Sequence, residues 1–132
     1  MIFGIGTDIV RVARMEKNLK RFGDRFVRRL LTDNELEDFA ANGSPAHFLA
    51  KRFAAKEAAA KAMGIGFRGG LSLRQIGVGH DARGKPQLEF SGYAAAFISE
   101  HGINAVHVSL ADEADHAVAF VTMSAEPAGT ND

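Results

Sequence analysis

The stretch SPAHFLAKRFAAKEAAAKAMG, residues 44–64, decides how the rest of the chain is read. Alanine, lysine and glutamate favour helix. Ser44 stands at an N-cap position, Pro45 at the first helical position and Gly64 at the stop, so one long helix is predicted. At about 100° per residue, Glu57 and Lys61 share a face with Ala50, Phe53 and Ala54, while Arg52 and Lys56 occupy the adjoining sector. A solvated salt-bridge pair would sit opposite the aromatic residue; this one sits beside it. A Glu–Lys pair four residues apart also stabilises an ordinary surface helix by a few tenths of a kcal/mol, so both readings stand on this segment alone.

Upstream, IFGIGTDIV reads as a buried first strand, with Asp8 where strand gives way to helix. Val12, Met15, Leu19, Phe22 and Phe26 recur at helical spacing, and Gly23 is the expected break. Thr32-Asp33-Asn34-Glu35 is a capping-box pattern that opens a short helix through Phe39. Downstream, LSLRQIGVGH and QLEF flank the turn DARGKP as a β-hairpin, Tyr93 to His101 is helical, and NAVHVSLAD with HAVAFVTM forms a second hairpin. No repeat or linker interrupts the pattern. The expectation is a single α+β domain over 1–124, with antiparallel hairpins packed around the long helix and a disordered tail over 125–132.

The composition excludes several classes. There is no cysteine, hence no disulfide, thiolate nucleophile or cysteine metal site. No apolar run approaches the ~20 residues of a membrane span and the N-terminus has no signal-peptide pattern, so a cytoplasmic protein away from membranes is expected. Formal net charge is zero, against a general nucleic-acid binder. Yet residues 11–30 carry six Arg and two Lys against Glu16 and Asp24. Arg14, Arg21, Arg25 and Arg28 fall in one sector if helical phase survives Gly23, a basic surface suited to one acidic partner.

Three elements carry candidate chemistry. Asp8 either caps the next helix or is a ligand held on a rigid strand. With Glu57 it makes two carboxylates from distant parts of the chain, accompanied by Arg and Lys, the set a Mg²⁺ site handling phosphate needs. In AVHVSL, Val106, Val108 and Leu110 point one way and His107 and Ser109 the other, so His107 lies on a polar face, either hydrogen-bonded or functional. Gly64 to Gly69 matches G-x-G-x-x-G, but it follows a helix and precedes a strand, the reverse of a dinucleotide-binding context, and reads as a helix stop and loop.

Taken together, GIGTDIV at 4–10, FLAKRFAAKEAAAKA at 48–62, GKP at 84–86 and HVSLADE at 107–113 closely resemble the holo-[acyl-carrier-protein] synthases, the short bacterial 4′-phosphopantetheinyl transferases, up to about Met123. The resemblance implies that family's fold, and transfer of 4′-phosphopantetheine from coenzyme A to a serine of apo acyl carrier protein, releasing adenosine 3′,5′-bisphosphate in support of fatty acid biosynthesis. It implies Mg²⁺ held by Asp8 and Glu57, Lys61 in the catalytic centre, and a homotrimer with the site between subunits. Arg52, Lys56, Lys61 and the turn Gly84, Lys85, Pro86 are then expected to meet the anionic groups of coenzyme A, and Arg14, Arg21, Arg25 and Arg28 the acidic carrier. The base that activates the partner's serine is His107, Glu57 or a metal-bound water. The motif departs from some family members at Ala111 and Asp112, which weakens any role for position 112. A Mg²⁺-dependent diphosphate hydrolase and a non-catalytic trimeric adaptor are the alternatives; the first would not need the basic helix, and the second would not need Lys61.

Overall fold

The computed structural model describes residues 1–127. Along the chain run β1 (Ile2–Arg11), α1 (Val12–Phe22), α2 (Asp24–Leu30), α3 (Asp33–Ala40), α4 (Pro45–Met63), β2 (Ile76–His80), β3 (Pro86–Phe90), α5 (Gly92–Glu100), β4 (Ala105–Asp112) and β5 (His116–Ser124). The expected α+β architecture around a long central helix is what forms. β1 joins the second hairpin to make an antiparallel three-stranded sheet in the order β1-β5-β4, and β2 and β3 stand apart as a two-stranded sheet.

The long helix lies on the inner face of the three-stranded sheet, and two glycines set how closely. A side-chain carbon on Gly4 would stand 1.9 Å from the Ala62 carbonyl oxygen, and one on Gly6 would stand 1.8 Å from that of Ala58. The strand therefore touches successive turns of the helix backbone to backbone, which only glycine permits. Ala58, Ala59 and Ala62 on α4 and Ala117, Ala119, Val121 and Met123 on β5 complete this buried layer.

Alternation along β1 corrects the expectation of a strand buried on both faces. Gly6 and Val10 point inward, while Ile5 and Ile9 are 53% and 63% exposed on the outer face. Val118 and Phe120 of β5 share that outer face at 37% and 46%. A sheet with a helix on one side only leaves its other set of alternating residues uncovered.

The first helical segment breaks where glycine allows it. Gly23 has φ 56° and ψ −135°, and its N–H closes α1 on the Leu19 carbonyl. The backbone turns there and the helical phase is lost. Arg14 and Arg21 on α1 therefore do not share one helical sector with Arg25 and Arg28 on α2, although all four are exposed.

The capping box forms as read: Thr32 accepts from the Glu35 N–H, and Glu35 accepts from the Thr32 N–H. Ser44 occupies the N-cap position of α4 without a side-chain capping bond, and its own N–H is held by Asn42 Oδ1 at 2.7 Å. Gly64 ends α4 in the left-handed region at φ 81°, which fits the helix-stop reading of the glycine-rich loop.

The first hairpin is shorter than expected, because Leu71–Gln75 is not strand. Leu73–Gln75 forms a 3-10 turn whose carbonyls and side chains are already engaged: the Leu73 carbonyl with Lys56, and Arg74 with the Leu31 carbonyl and Asp33. At the chain end, Ala125 and Glu126 are bonded to Met1 and Asn104, two residues past the boundary drawn at 124. Positions 128–132 of the expected tail lie outside the described residues. Among the described residues no helix is long and apolar enough to cross a membrane.

Candidate active site

Close packing of β1 on α4 brings Asp8, two residues along the inner face from Gly6, against the open face of the helix. Lys61 donates from Nζ to Asp8 Oδ1 at 3.1 Å and to the Thr7 carbonyl at 2.9 Å. Glu57, one turn earlier, shares the space. Burial, and then the neighbouring Asp8 carboxylate, push the Glu57 pKa above its ordinary value, against the pull of Lys61 and Arg14. A carboxylate whose proton affinity is raised by burial and by a second carboxylate beside it invites a cation.

The donor set fits Mg²⁺. Both donors are carboxylates, the hard oxygen ligands that this ion takes, and one or two of them suffice when waters and phosphate oxygens fill the octahedron. Among the described residues there is no cluster of three or more His, Cys, Asp or Glu side chains able to hold a metal ion, so a site here must leave part of its shell to water or substrate.

Arg14 borders the same space. Its guanidinium lies 5.0 Å from the centroid of the Phe53 ring, and its charge is felt by Glu57. A residue expected only on a docking surface thus stands at the edge of the carboxylate pair. The sequence could not place it there, because the contact depends on how α1 crosses α4.

The helical sector containing Arg52 and Lys56 faces the interior, away from Glu57 and Lys61. Lys56 is fully buried, with Nζ 2.6 Å from Glu35 Oε1 and 3.0 Å from the Leu73 carbonyl. Burial draws its pKa below the ordinary lysine value in spite of Glu35. Lys56 as a contact for coenzyme A is therefore corrected: its charge is already committed inside the protein. Arg52 is nearly as buried, stacked 4.5 Å from the Phe48 ring centroid and donating to the Val78 carbonyl at 2.9 Å, yet it forms part of a cavity wall.

That cavity, about 350 Å³, lies between α4 (Phe48, Lys51, Arg52), the turn end of the β2–β3 hairpin (His80, Pro86), and β4 (Leu110, Asp112). Lys51 and Arg52 give it basic character against one carboxylate, Asp112. Beside it the DARGKP turn is preset: Asp81 Oδ1 accepts the N–H groups of Lys85 and Arg83 at 2.9 and 2.8 Å, which lowers the Asp81 pKa, and Gly84 takes φ 85°. Gly84 and Lys85 are exposed there.

His107 is placed apart. It pairs with Thr122, which pairs with Ile5, so it stands on the outer face of the sheet. Asp8 pairs with Ala119 on the inner face. Within one chain, His107 and the Asp8–Glu57–Lys61 group are on opposite sides of the sheet.

Residues 4–121 match the family model described as ACPS, 4′-phosphopantetheinyl transferase superfamily. A relative from Nitrosococcus oceani named holo-[acyl-carrier-protein] synthase is 55% identical over 129 residues, 98% of this chain and 84% of that protein. The crystal structure of holo-[acyl-carrier-protein] synthase from Neisseria meningitidis superposes with a TM-score of 0.89 at 49% identity, over 94% of this chain and 99% of the other. That of the Helicobacter pylori synthase in complex with coenzyme A gives a TM-score of 0.80 at 31% identity, over 91% and 99%.

Proposed function

The chain belongs to the 4′-phosphopantetheinyl transferase superfamily, and from that premise we infer that it transfers 4′-phosphopantetheine from coenzyme A to a serine of apo acyl carrier protein. The observation that carries the reading is the meeting of Asp8 from β1 with Glu57 and Lys61 from α4. In the reaction the carrier's serine oxygen attacks the phosphorus that bears pantetheine. The bond from that phosphorus to the leaving phosphate breaks, and adenosine 3′,5′-bisphosphate departs. The nucleophile comes from the partner, in keeping with the absence of cysteine from this chain.

Asp8 and Glu57 would hold Mg²⁺, which when bound supplies charge neutralisation to the diphosphate. Lys61, half exposed and fixed between the Thr7 carbonyl and Asp8, is aimed to stabilise charge that develops on the transferring and departing phosphates. Glu57 lies on this side of the sheet beside Lys61 and is the base we assign for the serine proton. His107 enters only across a subunit boundary.

The outer face of the sheet supports such a boundary. Ile5, Ile9, Val118 and Phe120 form an apolar surface that a second copy would cover, in keeping with a homotrimer. The basic cavity between α4 and the DARGKP turn suits the anionic groups of coenzyme A, with Arg52 and Lys51 in its wall and Lys85 exposed on the turn beside it. Arg14 and Arg21 on α1 and Arg25 and Arg28 on α2 offer the exposed positive charge an acidic carrier needs. Both substrates and the absence of cysteine suit the cytoplasm. Incubation with Mg²⁺, coenzyme A and apo carrier, followed by weighing the carrier by mass spectrometry, tests the reading. A carrier that gains phosphopantetheine supports it. Hydrolysed coenzyme A with an unmodified carrier would point to a diphosphate hydrolase, and binding of the carrier without chemistry to an adaptor.

A further inference from the structure

In the buried cluster of Glu35, Lys56 and Arg52 only Arg52 reaches the cavity described above, yet the whole cluster does more than fill the core. Glu35 is 1% exposed and reaches three ways. Its Oε1 accepts from Lys56 Nζ at 2.6 Å and from the Thr32 N–H at 2.9 Å, and its Oε2 accepts from the Val78 N–H at 3.1 Å. Arg52 takes the other polar group of the same residue, donating from Nη1 to the Val78 carbonyl.

Val78 is the middle residue of β2, whose only strand partner among the described residues is β3. The other edge of β2 needs partners for its backbone groups once it is buried. Side chains from α3 and α4 supply them, in place of a third strand. Two residues beyond Val78 is His80, paired with Pro86, and both line the basic cavity whose opposite wall is Phe48, Lys51 and Arg52. The cluster therefore fixes the spacing between the two walls of that cavity.

We propose that Glu35 is a positioning residue for coenzyme A: by holding Val78 against α4 it sets the distance between Arg52 and the turn that carries Gly84, Lys85 and Pro86. This rests on the reading that coenzyme A binds between α4 and that turn. A buried ion pair often stabilises a fold no better than apolar residues of similar volume. What apolar residues cannot do is hold a backbone N–H. Geometry, rather than stability, is thus the cluster's distinctive contribution.

The test uses two altered enzymes. Glu35→Asp keeps the charge for Lys56 but is one methylene too short to hold Lys56 and Val78 together. The double change Glu35→Leu with Lys56→Leu fills the space without any bond to Val78. Each, checked for folding by thermal melt, should raise KM for coenzyme A roughly tenfold or more, the scale of one lost charge-assisted hydrogen bond. The kcat should stay within about threefold and KM for the carrier should be unchanged, the pattern of lost ground-state binding. Lys85→Ala is measured alongside. If Lys85→Ala raises KM for coenzyme A while folded Glu35→Asp does not, or if Glu35→Asp lowers kcat alone, the positioning role is overturned and the binding site stands. If neither Lys85→Ala nor Glu35→Asp moves that KM, the binding reading itself falls. Should both Glu35 changes prevent folding, hydrogen exchange on the wild-type protein decides: coenzyme A should slow exchange across residues 76–90, and no slowing overturns the proposal.

Discussion

Replacing Gly6 with alanine adds one methyl group at the point where β1 touches α4. The new carbon would stand 1.8 Å from the Ala58 carbonyl oxygen and 2.8 Å from both the Ala58 carbonyl carbon and the Ala62 nitrogen. A carbon and a carbonyl oxygen approach no closer than about 3.3 Å even in favourable contacts, so strand and helix must separate by roughly 1.5 Å. The obstacle is helix backbone rather than a movable side chain, which puts the cost at the top of the range for overpacking, about 3 kcal/mol. For a chain of this length that lowers the melting temperature by roughly 10 °C. Asp8 lies two residues along the same face, and its 3.1 Å contact with Lys61 is lost in the separation. Misplacement on this scale costs on the order of 100-fold in turnover even below the melting point. Circular dichroism melts, together with mass-spectrometric assay of carrier modification at 20 °C below the variant's midpoint, measure both effects. Gly43→Ala is the control, since a side-chain carbon there meets nothing within 4 Å. A Gly6→Ala protein that melts within about 2 °C of wild type and keeps its turnover would refute the claim that this contact positions the site.

Lys56→Met should destabilise by about 3 kcal/mol in chemical denaturation, because it removes the hydrogen-bonded cation of the buried Glu35 carboxylate and leaves it with Arg52 at 4.0 Å; a stable protein with only a raised KM for coenzyme A would restore Lys56 as a ligand-binding residue. Arg21→Glu should raise KM for the carrier and weaken its salt dependence while leaving kcat alone, whereas Arg14→Glu should also lower kcat, because Arg14 borders Glu57. If the outer face forms the proposed homotrimer, Phe120→Arg there should give a monomer by light scattering where the wild type gives a trimer, and should abolish activity; a fully active monomer would rule out a site shared between subunits. Glu57 holds its proton to a higher pH than an ordinary glutamate, so Mg²⁺ affinity by titration calorimetry should rise with pH through a range above the ordinary carboxylate value. In metal-free protein Asp8→Asn, by removing the like charge, should bring the Glu57 titration followed by NMR partway down toward the ordinary glutamate range.

The sequence by itself determined the parts that depend on near neighbours. Pro45 and Gly64 bound the long helix, Thr32 and Glu35 form their capping box, Gly23 breaks the first helix, and alternation sends Val108 inward and His107 outward. The motifs around Asp8, Glu57 and Lys61 were also legible, because their order along the chain carries the family resemblance. Other signals were present without being read: two glycines alternating in an apolar strand mark a close backbone approach.

Only the tertiary structure decided what each face meets. Helical periodicity puts Arg52 and Lys56 in one sector and Glu57 and Lys61 in the next, but it treats the two sectors alike. What separates them is the Glu35 carboxylate arriving from α3, which buries the first pair and leaves the second to the site. Glu35 itself looked complete as a capping residue, its further bonds to Lys56 and Val78 spanning 21 and 43 residues. In the same way, pairing of β1 with β5 put Asp8 and His107 on opposite faces of the sheet. Caps, breaks and alternation are set by bonds that close within a few residues, whereas burial and charge pairing are set by whichever distant surface packs against them.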